Sequence, residues 1–519
     1  MKRTLSIYIT LKLILVSHFA FCQYTIVWEK TFGGTQQDSG HKVQKTQDGG
    51  FIVSGFTNSN DLDVAEHYGN GDYWVVKLDS MGNAKWERNY GGTDAETGCD
   101  IIEITGGYLI AGNSRSTDND VSENNGRSDI WIAKINQNGD LEWEENYGGS
   151  EQDIFQSIIQ TNDNGFLLTA YTRSIDGDLN SSVQGNDYWV LKLNELGEIE
   201  WQHNYGGSQS DFASKGIETI DNNFVIVGWS SSNDGDVPGN RGQSDIWMIK
   251  LNRDGSIIWS KVFGEEQSEV ATSIKELDDG SMIVVGWIRN WEPNPETDTN
   301  DFLVLRVNSN GNLIWSKTYG GSGKDLAFDI EKTEKELFVI GRSNSEDLGQ
   351  SYGSDDFLLF TTDLNGIVID TLSFGGSDLD RPLSIKCVSD TSLVVTGLTY
   401  SSDIDISQNN GNSDLWIFKL SKESNIENDN MGESGNNNNN RPCEITIYPN
   451  PTFETINFIE KDLVEGKQLN IFDTTGKLVL EKSIVENSID ISSLISGHYL
   501  LEINNTVCKY QKQIIVAKD

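Results

Sequence analysis

A chain of 519 residues with 36% hydrophobic and 10% aromatic residues and seven prolines is too long for one ordinary domain and too apolar for a disordered one. With 39 Lys and Arg against 79 Asp and Glu, its formal charge of −40 argues against nucleic acid and anionic membrane surfaces as partners, because phosphate binding depends on clustered cations. Cations and neutral ligands remain.

Residues 1–22 read as a secretory signal peptide. Lys2 and Arg3 precede an apolar run ending at Ala20-Phe21-Cys22, with small residues where a signal peptidase needs them. Lipid attachment at Cys22 is the alternative, opposed by the bulky Phe21. The run is too short and wrongly flanked for an anchor, so no membrane-spanning segment is expected in the mature chain. Cleavage removes Lys2, Arg3 and Lys12 and no acid, leaving a still more acidic protein.

Residues 23–421 are organised by repetition. The segment Asp72 to Gly92 recurs seven times, placing Trp28, Trp86, Trp143, Trp201, Trp259 and Trp315, with Asp370 in the seventh place, 55 to 58 residues apart. A fixed period of this size marks units that cannot bury their apolar faces alone. In the first full unit the strand-like runs are His41–Gln47, Phe51–Thr57, Tyr73–Leu78 and Ala84–Tyr90. Turn sequences, Gln47-Asp48-Gly49-Gly50 and Asp79-Ser80-Met81-Gly82-Asn83, separate them. Four antiparallel strands per unit make a propeller blade. The chain opens on a lone outer strand, Thr25–Phe32, and the last unit stops after its third strand, Asp414–Leu420. The expected fold is therefore all-β, a seven-bladed β-propeller of four-stranded blades whose N-terminal strand closes the last blade.

Residues 422–442, with Asn436 to Asn440, read as an Asn-rich linker. In residues 443–519, Tyr448-Pro449-Asn450-Pro451, Thr475-Gly476-Lys477 and Gly497-His498-Tyr499 punctuate alternating apolar strands, which suggests a small Ig-like β-sandwich. These motifs, in this order at the extreme C-terminus, resemble the type A sorting domain of the Bacteroidetes type IX secretion system. The resemblance implies a secreted or outer cell-surface protein whose partner, through residues 443–519, is the secretion machinery. The repeats resemble the tryptophan-rich propeller repeats found upstream of such domains, a likeness covering residues 24–420 that names no ligand. Cys443 and Cys508 bracket this domain and could pair in an oxidising compartment, whereas Cys99 and Cys387 fall in separate repeats as small hydrophobes.

The repeat supplies an internal control: what recurs in every unit is scaffold, and what departs is a candidate for function. By this rule the acids preceding each inner strand (Asp38, Glu96, Asp153, Asp211, Glu269, Asp325, Asp380) are expected to accept backbone N–H groups at the Gly-Gly crossings. Long acidic connections join second and third strands. Asp61, Asp63 and Asp72 in the first unit, then Asp118, Asp120 and Asp129, Asp176, Asp178 and Asp187, and Asp234, Asp236 and Asp245, could group oxygens around Ca2+. Asx turns explain the same letters without a metal, and no cofactor is required.

Trp74, Trp131, Trp189, Trp247 and Trp416 start third strands, where they should fill the space between blades. Trp229, Trp287 and Trp291 are left over, in neighbouring units. The stretch Trp287 to Pro295 also loses the paired aspartates. Trp229, Trp287, Arg289, Trp291 and Glu292 therefore form the candidate ligand site, expected on the long-loop face, with stacking on a glycan ring as its chemistry. His41, His67, His203 and His498 are scattered, and nucleophile motif, zinc spacing and phosphate loop are all lacking, so no catalytic residue is assigned. The reading is an extracellular binding propeller. Its alternatives are a polysaccharide-degrading hydrolase or lyase using carboxylates near the channel mouth and a purely structural adhesin.

Overall fold

The computed structural model describes residues 24–65, 67–179, 185–290, 299–348 and 351–422, and further on 447–448, 455–458, 468–473, 477–483, 488–494, 497–504 and 509–516. The signal peptide, the stretch 423–446, Trp291, Glu292, Cys443 and Cys508 lie outside these residues. The two compact units into which the chain divides are taken separately.

Seven four-stranded antiparallel sheets, consistent with propeller blades, make up the first unit, and no described residue is helical. Sheet 1 contains, from inner to outer edge, Asp38–Lys45, Phe51–Thr57, Asp72–Leu78 and Ala84–Tyr90. The inner strands of sheets 2 to 7 are Thr97–Ile104, Asp153–Gln160, Asp211–Glu218, Ser268–Glu276, Asp325–Lys332 and Asp380–Ser389. Sheet 7 takes its outer strand from the chain's beginning: Tyr24–Phe32 pairs antiparallel with Asp414–Lys422.

Burial explains the sequence pattern. Asp72–Leu78 is covered along its whole length and Phe51–Thr57 nearly so, while Ala84–Tyr90 exposes its first half. A middle strand covered on both faces must be apolar on both, hence the unbroken runs. Each core lies between consecutive sheets. Ile52, Tyr73 and Val75 of sheet 1 meet Ile101, Ile110 and Trp131 of sheet 2. Val43, Phe51 and Trp74 of sheet 1 meet Val394, Leu415 and Ile417 of sheet 7.

The recurrent tryptophans hold these junctions. Trp74, Trp131, Trp189, Trp247 and Trp416 are fully buried, and removing one such side chain costs ~3–5 kcal/mol. The outer-strand tryptophans reach one sheet onward: Trp86 Nε1 donates to Gln137 O at 3.2 Å and Trp201 Nε1 to Arg253 O at 2.8 Å. Trp86 packs on Gly139, whose φ of +84° suits glycine and where a Cβ would stand 3.1 Å from the ring.

Every inner strand carries a β-bulge. The register slips between Gly40 and Lys42, Thr97 and Asp100, Phe155 and Ser157, and Ala213 and Lys215. It does so again between Ala271 and Ser273, Ala327 and Asp329, and Pro382 and Ser384. A bulge re-aims side chains, and these aim them at the space the inner strands share.

In the second unit, Ile447–Tyr448, Thr455–Phe458 and Ser488–Asp490 form one antiparallel sheet. Leu478–Ser483, Gln468–Asp473, Gly497–Asn504 and Lys509–Val516, in that order, form the other. Leu469, Ile471, Tyr499, Leu501 and Ile503 are buried side chains on its two central strands.

Candidate functional site

The acids of the crossings are structural in a repeated way. Asp38 accepts Gly34 N at 2.7 Å and Asp153 accepts Gly149 N at 2.8 Å, and Ser59 and Ser174 donate to the same carboxylates. Glu96, Asp211, Asp325 and Asp380 repeat the bond to Gly92, Gly207, Gly321 and Gly376, as expected. In sheet 5, where Glu265 replaces the second glycine, the bond to Glu269 stretches to 3.4 Å.

The loop aspartates clamp the same crossings. Asp61 accepts Thr35 N at 2.8 Å and Asp63 accepts Gly33 N at 3.2 Å. The pattern returns with Asp118 and Asp120 on Thr93 and Gly91, Asp176 and Asp178 on Ser150 and Gly148, and Asp234 and Asp236 on Ser208 and Gly206. Asp72, Asp129 and Asp245 accept N–H groups of Tyr68, Asn125 and Arg241, and Asp187 opens its strand in the same place. Among the described residues, no group of three or more His, Cys, Asp or Glu side chains is arranged to hold a metal ion.

Carboxylates meet in pairs at the first glycine of a crossing. A Cβ on Gly148 would lie 2.6 Å from Asp129 Oδ1 and 2.8 Å from Asp153 Oδ2, and Gly375 stands likewise between Asp356 and Asp380. Oδ1 of Asp129, Asp356 and Asp414 and Oε2 of Glu269 are buried and accept no hydrogen bond. Burial, with the facing carboxylate adding to it, pushes Asp129 and Glu269 up to about 7 and Asp356 and Asp414 up to about 6.

The bulged inner strands surround a cavity of about 270 Å3 to which all seven contribute. Four places after each recurrent acid stand Lys42, Asp100, Ser157, Lys215, Ser273, Asp329 and Ser384. No residue type holds this position throughout. Asp329 anchors it: Oδ1 accepts Lys215 Nζ at 2.9 Å and Ser273 Oγ at 2.8 Å, Oδ2 accepts Ser384 Oγ at 3.3 Å, and Lys42 Nζ lies 3.6 Å away. Two residues further along, Glu331 sits between Lys275 at 2.8 Å and Lys386 at 3.3 Å.

Burial alone would raise both acids, but Lys215 and Lys42 hold Asp329 well below the usual carboxylate range, and Lys275 and Lys386 lower Glu331. Burial brings Lys215 down to about 8, only partly countered by Asp329, with Lys42 and Lys275 adding repulsion. It brings His41 down to about 4, so the imidazole is neutral at ordinary pH.

Of the tryptophan site, the structure places Trp229 and Trp287 on second strands at the same register in neighbouring sheets, opposite Phe212 and Val270. Both are half-buried, and Trp229 stacks on Phe212 with centroids 4.2 Å apart. The stretch expected among the long loops is strand as far as Asn290. Met282–Asn290 and Thr299–Val307 each run nine residues, against seven in sheet 4, and pair out to Asn290 and Thr299. Trp287 and Arg289 therefore share one side of a prolonged hairpin.

The channel residues escaped the sequence reading although its own rule would have found them. Compared unit by unit at the fourth place after the acid, that position varies between Lys, Asp and Ser, whereas the crossing acids do not vary in kind.

Comparison with known proteins bears on the export route. Residues 446–517 match the family described as secretion system C-terminal sorting domain. The chain is a secreted or cell-surface protein and carries the signal through which such substrates engage the type IX machinery. Over 219 residues it is 26% identical to the regulatory protein FlaEY of Caulobacter vibrioides, covering 38% of this chain and 22% of that one. Over 80 residues it is 32% identical to beta-agarase D of Zobellia galactanivorans, covering 15% and 16%. It thus spans about a fifth or less of these relatives.

Among solved structures, PorZ of Porphyromonas gingivalis, an essential surface component of the type IX secretion system, is 12% identical and covers 94% of this chain and 60% of its own, with a TM-score of 0.39. The polysaccharide lyase Uly1 is 9% identical, with 76% and 90% covered and a TM-score of 0.43. Likeness at these scores carries neither ligand nor activity across.

Proposed function

We propose that residues 24–422 form a closed seven-bladed propeller that recognises an extracellular glycan through an aromatic edge on sheets 4 and 5. Cyclic packing, with one core between sheet 7 and sheet 1, supports closure. The observation that carries the binding reading is the pair Trp229 and Trp287. They are half-buried and level with one another on adjacent sheets, while the buried tryptophans of the third strands serve the blade junctions. Arg289 extends the edge, and Trp291 and Glu292 follow it in the chain. Aromatic faces stack on the apolar side of a sugar ring, and Arg and Glu bond its hydroxyls. Screening the secreted chain and its Trp229→Ala and Trp287→Ala variants against a glycan panel tests this: the variants should lose the hits. Hits retained by both variants would remove the site.

For the acidic crossings we propose that shared protons, and not Ca2+, offset the paired carboxylates. The supporting geometry is that Asp61, Asp63, Asp118, Asp120, Asp176, Asp178, Asp234 and Asp236 already accept backbone N–H groups.

A further inference from the structure

We infer that the cavity lined by the inner strands is a second binding site, for a small hydroxylated carboxylate of the uronic acid class, held by Lys42 and Lys215, with Asp100 in the same lining. The cavity's volume, about 270 Å3, lies just under the ~300 Å3 at which drug-sized ligand sites begin. Its occupant is then one sugar-sized molecule and not a chain.

The lysine donors of the cavity are incompletely paired. A carboxylate offers about four lone-pair sites. Those of Asp329 are taken by Lys215, Ser273, Ser384 and, at 3.4 Å, Ile385 N. Lys42 Nζ, 3.6 Å off, stands beyond hydrogen-bond range. One acid thus serves two ammonium groups, each with three donors, of which Lys215 gives a second to Ser273 at 2.8 Å, while Lys42 also has Asp100 nearby. Glu331 beneath it also serves two, Lys275 and Lys386. Neutral His41 adds no charge, so the lining sets Lys42 and Lys215 against Asp100 and Asp329.

An anion entering a protein of formal charge −40 meets repulsion from the surface. Those surface charges are screened over about 8 Å at physiological salt, whereas the lysines act at contact distance in a desolvated site, so the local attraction wins.

Asp100 supplies the second half of the recognition. It lines the same cavity and accepts Ile101 N at 2.9 Å and Ile158 N at 3.5 Å, which leaves lone pairs for ligand hydroxyls. Ser214 and Gln156, both bulge residues, add hydroxyl and amide partners. A ligand with a carboxylate at one end and hydroxyls at the other satisfies both the lysines and Asp100. A neutral sugar satisfies one.

The test is calorimetric titration of the full secreted chain with sodium D-glucuronate and D-galacturonate, and with D-glucose and D-galactose as neutral counterparts. The uronates should bind at least about tenfold more tightly than the neutral sugars, and both Lys215→Met and Lys42→Gln should weaken them about tenfold or more. Thermal melts of each variant establish that it is folded. Lys42→Gln serves if Lys215→Met does not fold. Trp287→Ala should bind uronates as the wild type does, so this site stands or falls apart from the aromatic edge. Equal affinity for charged and neutral sugars, unchanged affinity in a folded lysine variant, or no uronate binding would each overturn the assignment.

Discussion

Gly148 is held between the carboxylates of Asp129 and Asp153, and a methyl group there would collide with both. Gly148→Ala should therefore lower stability by about 1–3 kcal/mol, as overpacking does, measured by urea unfolding. An unchanged midpoint would mean that the carboxylates move freely. The same pairs govern pH dependence. Asp129 and Glu269 raised to about 7, and Asp356 and Asp414 to about 6, keep protons that an unfolded chain releases near pH 4. Their contribution is present at low pH and is lost as pH rises through the folded values. Asp48 and Asp163, held below the usual range despite their partial burial by hydrogen bonds to lysines and threonines, contribute oppositely and fail in acid. The melting temperature should peak near pH ~5 and fall toward pH ~8, with EDTA leaving the curve in place. A rise toward alkaline pH contradicts the shared proton, and an EDTA-induced drop would put Ca2+ in the acidic loops.

At the scale of elements, sheet 7 depends on a strand from the other end of the chain. Tyr24–Phe32 pairs with Asp414–Lys422 along almost its whole length, and Tyr24 packs edge-on to Phe338 at 5.6 Å. Deleting residues 24–32 should expose the edge of Asp414–Lys422 and replace one cooperative unfolding transition by an earlier, broader one, followed by circular dichroism. A truncated chain that melts as the wild type does would show the strand to be dispensable.

How much was legible followed from the same physics. The middle strands announce themselves because burial on both faces demands apolar runs, and the phase of the repeat foretells the one-plus-three sheet. The edge at Trp287 is expected among the long loops because Arg289 and Asn290 carry no strand signal. Pairing with Asn300 and Thr299 extends the hairpin regardless. The cavity position is hidden for a different reason: Lys42 and Lys215 follow a bulge in strands of mixed polar and apolar residues, and their significance shows only when the fourth place after each crossing acid is compared between units.

Over the whole molecule, acidity and export fit together. A formal charge of −40 favours solubility, and the sorting domain at residues 446–517 accounts for export. No helix of the described residues is long and apolar enough to cross a membrane, which leaves β-barrel spans unaddressed. Scaffold positions recur, and the proposed sites do not. Crossing acids, junction tryptophans and hairpin glycines return along the chain, whereas the edge at Trp287 and the cavity position four places after each crossing acid differ between units. That division is tested most directly by the affinity of the secreted chain for its best panel glycan, compared with that of Trp287→Ala. Trp287→Ala should bind at least about tenfold more weakly, ~1.4 kcal/mol, while remaining folded at the assay temperature. Equal affinity in the two proteins would contradict it.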